Sequence, residues 1–445
     1  MTRPDKPVLK RRALLGGTAA AGVGAVVSSG GSAAAADGGS RYGRPLDQAA
    51  IDAVALRIEG NLIALRRDLH DHPEAAKKDG VGEGEVATSR IVGHLLRAAG
   101  LEVRTHVGGL GVVGVLKGAR PGRTVAYRAD MDAVPPNGII PAGTNPTKPT
   151  KPAHVCGHDL HTTVGVGVAQ TLAQLRHRLS GTVVFVFQPG EETLEGAEAM
   201  IKGGALKDAP EEIHALHCGP FPVGQFAVTP GSGLPGQDEA TVTVTGPDAL
   251  TRAERLAEEI KGLATVAPPR TPADLEKMVA DVQTPNGPLA EFVVVRANAT
   301  PDAEKGQATI SVSYRCWPEE RYVEVREAIR RLAKPYGGVV VRFRENPFPA
   351  MVCPEKDALT LRRHLRRVLG PDAVTVMHAA FPFNGEDFAL FLKKIPGTYT
   401  FLGVRTPGTV ITEGYPHYGD FDPDVRAIGV GVRAMSGWLA ERARG

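Results

Sequence analysis

His154-Val155-Cys156-Gly157-His158-Asp159-Leu160-His161 sets three histidines, a cysteine and an aspartate within eight residues, and no other stretch is as dense in chemistry. Cys156 and His158 lie two positions apart, so an extended or looping backbone turns both side chains to one side, within reach of one ion. Thiolate and imidazole both ligate borderline cations such as Zn²⁺, and Asp159 or a backbone carbonyl can fix an imidazole's tautomer. By itself the spacing fits a metal site and a histidine-rich surface loop equally well.

Working outward toward the N-terminus, Ile51, Ala55, Ile58, Leu62, Leu65 and Leu69 recur at helical spacing, and Pro73 stops the helix they predict. A second helix is expected over 86–99, ended by Gly100, with strands over 112–116 and 125–128. The latter strand delivers Ala129-Asp130-Met131-Asp132 at its C-terminal end, where open α/β sheets place ligands. In the other direction, 162–175 reads as a helix and 182–188 as a buried strand that runs into Pro189-Gly190-Glu191-Glu192. Adjacent carboxylates at a strand end repel unless a cation or solvent separates their tasks. One can then bind metal while the other acts as base. A strand over 213–216 leads into His217-Cys218, and alternation turns Cys218 away from His217. A last strand over 399–404 precedes a turn-rich loop that carries His417.

Composition places the 445 residues among globular enzymes with one large and one smaller domain. The 52 basic and 49 acidic residues are dispersed, which argues against nucleic acid as a partner. Lys10-Arg11-Arg12, a mildly apolar run and Ala33-Ala34-Ala35-Ala36 predict a twin-arginine-type export signal over 1–36, and hence an exported protein with no stable membrane anchor after processing. Of the four cysteines, Cys156, Cys218, Cys316 and Cys353, three remain if Cys156 holds metal, so no obligatory disulfide framework is expected.

Taken in order, Arg66-Arg67-Asp68-Leu69-His70-Asp71-His72-Pro73-Glu74, Arg128-Ala129-Asp130-Met131-Asp132-Ala133, Cys156-Gly157-His158-Asp159-Leu160-His161, Gln188-Pro189-Gly190-Glu191-Glu192, Leu216-His217 and Gly385-Glu386-Asp387-Phe388 form a set. This set resembles the amidohydrolase branch of the aminoacylase and carboxypeptidase metallopeptidases, which includes hippurate hydrolases and auxin-conjugate hydrolases. The resemblance implies an α/β catalytic domain with a central mixed sheet flanked by helices, over 46–236 and 347–437. It also implies an inserted α+β, ferredoxin-like lid over 237–346 that mediates a homodimer. Two divalent ions, Zn²⁺ or Mn²⁺, are implied, with Cys156, His158, Glu192, His217 and His417 as ligands, Glu191 as general base and Asp132 orienting the site. His161 is expected to support these groups from behind, and His70 and His72 to serve the end of their helix.

The insert reads as a βαββαβ-like unit, with strands over 240–245, 292–297, 308–314 and 339–343 and helices over 249–264, 272–282 and 319–334. Lids of the resembled family carry Gly-Gly-His after the first strand, to bind the carbonyl oxygen in the transition state. This chain has Gly246-Pro247-Asp248, and no histidine between His217 and His364. Arg296 and Asn298 are the candidate substrate-binding residues of the insert. The implied activity is amide hydrolysis of N-acyl amino acids or similar small conjugates by metal-activated water. A dipeptidase or carboxypeptidase on the same scaffold is the alternative, as is a binding protein that keeps the metal site without turnover.

Overall fold

The computed structural model describes residues 46–77, 84–142 and 149–445. The export-signal reading over 1–36 lies outside the described residues. The chain forms α1 (Gln48–Asp71), α2 (Val86–Ala98), β1 (Glu102–Val107), β2 (Gly111–Lys117), β3 (Arg120–Asp130), α3 (His158–Gln174), β4 (Ser180–Gln188) and α4 (Gly196–Lys202). Next come β5 (Glu212–Pro222), β6 (Phe226–Val228), β7 (Gly233–Leu234), β8 (Asp238–Thr245), α5 (Ala249–Lys261), α6 (Pro272–Val282), β9 (Phe292–Asp302) and β10 (Gln307–Trp317). It closes with α7 (Tyr322–Ala333), β11 (Val339–Phe343), β12 (Met351–Val352), α8 (Glu355–Leu369), β13 (Val374–Val376), α9 (Ala389–Leu392), β14 (Gly397–Arg405) and α10 (Arg426–Arg444).

Eight strands make a mixed sheet in the order β1-β2-β4-β3-β5-β14-β6-β13, with β4, β3, β5 and β14 parallel. Its inner strands are apolar on both faces, as a sheet covered twice must be. Along β4, Val183, Phe185 and Phe187 pack beneath α1, α3 and α10, while Val184 and Val186 pack into a second core on the other side. The parallel strands run the same way, so their C-terminal ends gather along one edge, which positions the site.

A separate four-stranded antiparallel sheet, β11-β8-β10-β9, has the strand order of a ferredoxin-like unit. Strict alternation in β8 buries Ala240, Val242 and Val244 against α5 and α7 and turns Glu239, Thr241 and Thr245 outward, so helices cover one face only. Gln237 and Phe348 pair where the chain enters and leaves this unit. Helix α6, which the sequence places inside the insert, packs elsewhere. Its stripe Leu275, Met278, Val279 and Val282 is buried in the second core of the large body, and His378 donates to the carbonyl of Val282 at 2.7 Å.

Two boundaries differ from the sequence reading in ways that matter for the site. Helix α3 begins at His158, four residues before the expected start, because Gly157 takes a left-handed φ of 90° as its N-cap. A Cβ at Gly157 would lie 2.5 Å from the Cys218 sulfur, so glycine is required there for space as well as for conformation. Strand β5 runs on through Pro222, which puts His217 and Cys218 inside the sheet and not in a loop after it. Among the described residues, no helix is long and apolar enough to cross a membrane, and all four cysteines are free and buried.

Candidate metal centre

Five segments converge at the sheet edge. β3 ends at Asp130 and leads to Asp132; the turn at Gly157 sets Cys156 beside the first turn of α3; β4 releases Glu191 and Glu192; β5 carries His217; and the loop before α10 carries His417. The ligand atoms of Cys156, His158 and Glu192 lie within 4.8 Å of one another. The Cys156 sulfur is 3.4 Å from His217 Nε2. His158 Nε2 stands 3.8 Å from both Glu191 and Glu192, and His417 Nε2 is 3.5 Å from Glu192. Of the extended and looping backbones that the spacing allowed, the looping one is observed: the left-handed turn at Gly157 brings Cys156 to His158.

Each histidine is held by its other nitrogen. His217 Nδ1 donates to the Cys218 carbonyl at 2.8 Å, His417 Nδ1 donates to the Gly138 carbonyl at 3.1 Å, and His158 Nδ1 faces Asp132 at 3.3 Å. All three therefore turn Nε2 into the cluster, the arrangement by which outer partners fix the tautomer of a ligating imidazole. His158 Nε2 and Glu192 Oε1 are buried without hydrogen-bond partners among the described residues. Buried orphan polar atoms of opposite character that share one space are unfavourable unless a cation joins them, so this donor set fits a divalent ion. His417 adds local strain. It adopts a φ of 73°, which costs a non-glycine residue about 1–2 kcal/mol, and hydrogen bonds from its amide to Val155 and from Ile140 to its carbonyl hold it there.

His161 has no free nitrogen. Its Nδ1 bonds Asp130 at 2.6 Å and its Nε2 accepts the Cys218 amide at 2.7 Å, so it braces β3 against β5. Asp159, which the sequence offered as the tautomer partner of a ligand, faces away to α1, pairing with Arg66 at 3.0 Å and His70 at 2.8 Å. Asp132 lies beside the cluster. Besides facing His158, it accepts the Glu191 amide at 3.1 Å and the Glu192 amide at 2.9 Å.

Behind the cluster lies a buried hub. Arg128 donates to Gln188 at 2.9 Å, Asp130 at 2.5 Å, Glu386 at 3.0 Å and Asp387 at 3.1 Å. Glu386 also accepts from Tyr399 and from the Phe388 amide, and Asp387 from Gln188 and the Ala197 amide. This network explains the Gly385-Glu386-Asp387-Phe388 motif, whose role the sequence left open. One cation faces three carboxylates here, and burial, with Glu386 adding to it and Arg128 opposing, pushes Asp387 up to about 8. Burial and the neighbouring carboxylates Glu386, Glu192 and Asp387 hold Glu191 well above the usual carboxylate range. Burial pushes His158 down, but Asp130, Asp132 and Glu192 outweigh it and raise it to about 10. Burial together with Glu192 and Glu191 holds the Cys156 thiol far above its usual value.

Cys156, His158, Glu191, Glu192, His217, His417 and Asp132 are thus brought together. Arg296 and Asn298 are not. Both are exposed on the uncovered face of β9, with no hydrogen bond or ion pair to this group among the described residues. Pro247 and Asp248, where a lid histidine was expected by resemblance, are exposed at the start of α5. Two residues were missed by the sequence reading. Arg315 on β10 reaches the large body, with Nη1 3.2 Å from the Asn384 carbonyl, and has no carboxylate at ion-pair distance among the described residues. Burial and Arg296 push it down to about 10, with Glu191 opposing. Glu85, buried just before α2, bonds the Gly190 amide at 2.8 Å. Neither stands in a motif: one is an arginine within an alternating strand, the other an acid in a polar loop.

This architecture recurs in solved structures. It overlays an aminohydrolase from methicillin resistant Staphylococcus aureus with a TM-score of 0.70, at 22% identity over 89% of this chain and 100% of that one. It overlays a dinuclear metal binding peptidase of the M20 family from Bacillus subtilis with a TM-score of 0.66, at 26% identity over 87% of this chain and 99% of that one. Among curated proteins, the chain is 30% identical to N-acetylcysteine deacetylase of Bacillus subtilis over 361 residues, 77% of this chain and 88% of that one. It is 29% identical to an IAA-amino acid hydrolase of Arabidopsis thaliana over 405 residues, 86% of each chain. The fold and the donor cluster define a metal-dependent hydrolase. The sequence pattern of peptidase family M20/M25/M40 matches residues 126–441, and the chain belongs to that family.

Proposed function

We propose that this enzyme hydrolyses the amide bond of N-acyl amino acids or similar small conjugates, with two divalent ions held by Cys156, His158, Glu192, His217 and His417. The observation that carries the reading is the convergence of His158 Nε2, His417 Nε2 and the Cys156 thiol on Glu192, with His217 Nε2 against that thiol and a second carboxylate, Glu191, beside His158. When bound, the ions would polarise the scissile carbonyl and make the attacking water more acidic. Glu191 takes a proton from that water as it attacks and returns it to the leaving nitrogen, so the base of the first step is the acid of the second. Asp132 keeps both glutamate amides in place and holds His158 by its Nδ1. Arg315, a half-buried cation with no carboxylate at ion-pair distance among the described residues, receives the carboxylate of the amino-acid portion. Relatives named as deacetylases and as an amino-acid conjugate hydrolase support this choice over a peptide substrate, while one named as a carboxypeptidase keeps the dipeptide reading in the assay.

The test is turnover by metal-reconstituted protein on N-acetyl, N-benzoyl and fatty N-acyl amino acids and on dipeptides, with metal counted on the same sample. Glu191→Gln should keep both ions and lose about 10²–10⁴-fold in kcat; near-normal turnover in that variant removes the assigned role. Export rests on Arg11-Arg12 and the run to Ala36, and fusion of residues 1–40 to a folded reporter, with lysine replacing both arginines as the control, tests it.

A further inference from the structure

Glu85 occupies the N-cap of α2, with φ −84° and ψ 51°, yet its side chain makes no capping bond. The amides it would ordinarily serve are taken by Glu74, which accepts from Ala87 at 3.0 Å and from Thr88 at 2.9 Å, and also from the Thr88 hydroxyl. Relieved of that task, the Glu85 carboxylate is 2% exposed and spans 105 residues of sequence to accept the Gly190 amide at 2.8 Å. The next two amides, of Glu191 and Glu192, are accepted by Asp132. Three consecutive N–H groups are therefore each fixed by a carboxylate oxygen, from two separate segments. Gly190 needs the restraint most, since its φ of 67° is open to glycine among many others.

We propose that Glu85 is a positioning residue for hydrolysis: by tethering the Gly190 amide it sets the backbone from which Glu191 projects. The proposal rests on the reading of Glu191 as the base. Proton transfer needs heavy atoms about 2.6–3.2 Å apart, and a displacement of about 1 Å can cost about 10²-fold. Asp132 anchors the amides of both glutamates, while the tethered Gly190 directly precedes Glu191, so loss of the tether affects the base more than the ligand one residue further on.

Three variants of the full chain, loaded with Zn²⁺ or Mn²⁺, decide the matter. Glu85→Ala and Glu85→Asp should each lower kcat about 10–100-fold, with KM within about twofold and metal content unchanged, because aspartate is one methylene too short to reach Gly190. Glu85→Gln keeps an acceptor oxygen at the same reach and should restore kcat to within about threefold. In the metal-free proteins, hydrogen exchange of a peptide over 188–193 should quicken in the Ala and Asp variants and not in the Gln variant. Unchanged kcat in Glu85→Asp overturns the proposal, as does a Gln variant as slow as Asp, which would make charge the operative property. Metal content falling in parallel with kcat also overturns it. If Glu191→Gln retains turnover, the base assignment fails, and the exchange contrast between Asp and Gln still decides the tether.

Discussion

Two buried polar clusters lie side by side at this sheet edge, and they differ in one respect. In the Arg128 hub every charged atom has a partner: a guanidinium with four acceptors, and carboxylates that also take amides and a tyrosine hydroxyl. In the donor cluster the groups are held from behind while two of the atoms that face one another, His158 Nε2 and Glu192 Oε1, have no hydrogen-bond partner among the described residues. A satisfied network specifies a structure; an unsatisfied one in equally deep burial is costly unless a cation joins its donors.

The largest expected effect breaks the first cluster. Arg128→Ala leaves Asp130, Glu386 and Asp387 buried without a cation, at a cost of roughly 3–5 kcal/mol, and should yield protein that is unfolded or insoluble at 37 °C. Cys156→Ala removes a thiol from the second cluster and should change the Tm of the metal-free chain by only about 2–4 °C. A well-folded Arg128→Ala variant with a normal Tm, or a Cys156→Ala variant that cannot fold without metal, would reverse the division between the two clusters.

The next effect fills the second cluster. Zn²⁺ or Mn²⁺ at a hundredfold above its Kd should stabilise the chain by about 2.7 kcal/mol, read as a rise in Tm, and His158→Ala should remove most of that rise. The sign of the pH dependence follows from the raised groups. Metal-free, His158 titrates at about 10 and the Cys156 thiol above its usual range, so both carry protons at neutral pH. Ligation requires the neutral imidazole and the thiolate, so binding must release those protons. Apparent affinity should therefore weaken as pH falls, by about 10–100-fold per unit below pH 8, with matching proton release in calorimetry across buffers of different ionisation enthalpy. Affinity flat between pH 6 and 8 would show that the metal-free site does not hold those protons.

The donor cluster was legible because its residue types are scarce and stand at strand ends and in one dense motif, and because the adjacent carboxylates Glu191 and Glu192 repel unless a cation or solvent separates their tasks. The hub was visible only as the residues of a motif. Nothing in Gly385-Glu386-Asp387-Phe388 says that Arg128, 258 residues earlier, is its counter-ion, since pairing across a fold leaves no local pattern. Periodicity found α6 at its observed bounds and still misplaced it, for an apolar stripe says that a face is buried and not against which core. The register of His158 depended on the left-handed turn at Gly157, which the sequence permits without requiring. Glu85 and Arg315 were unreadable for a similar reason: each acts at a distance through a bond that its own neighbourhood does not announce.

The smallest effect concerns a third ion pair, away from both clusters, and shows what a buried charge does when its partner can reach water. Glu212 on β5 is 3% exposed and takes a fork of bonds from Arg442 on α10, at 2.9, 3.1 and 2.5 Å. Burial pushes its carboxyl up, but His214 and Arg442 outweigh this and hold it down at about 2. Burial pushes the His214 imidazole below its usual value, while the Arg442 guanidinium forks directly onto the carboxylate. A carboxylate whose folded pKa is depressed contributes stability that is complete above its unfolded value near 4.5 and lost as pH falls toward 2. The contribution is on the order of 2 kcal/mol after discounting for the part-exposed arginine. Glu212→Gln should lower Tm at pH 7 and leave the difference from wild type shrinking steadily between pH 4.5 and pH 2. A difference that stays constant across that window would mean that the fork stabilises by packing and hydrogen bonding without its charge, which is how the carboxylates of the hub, one of them protonated near neutrality, already behave in part.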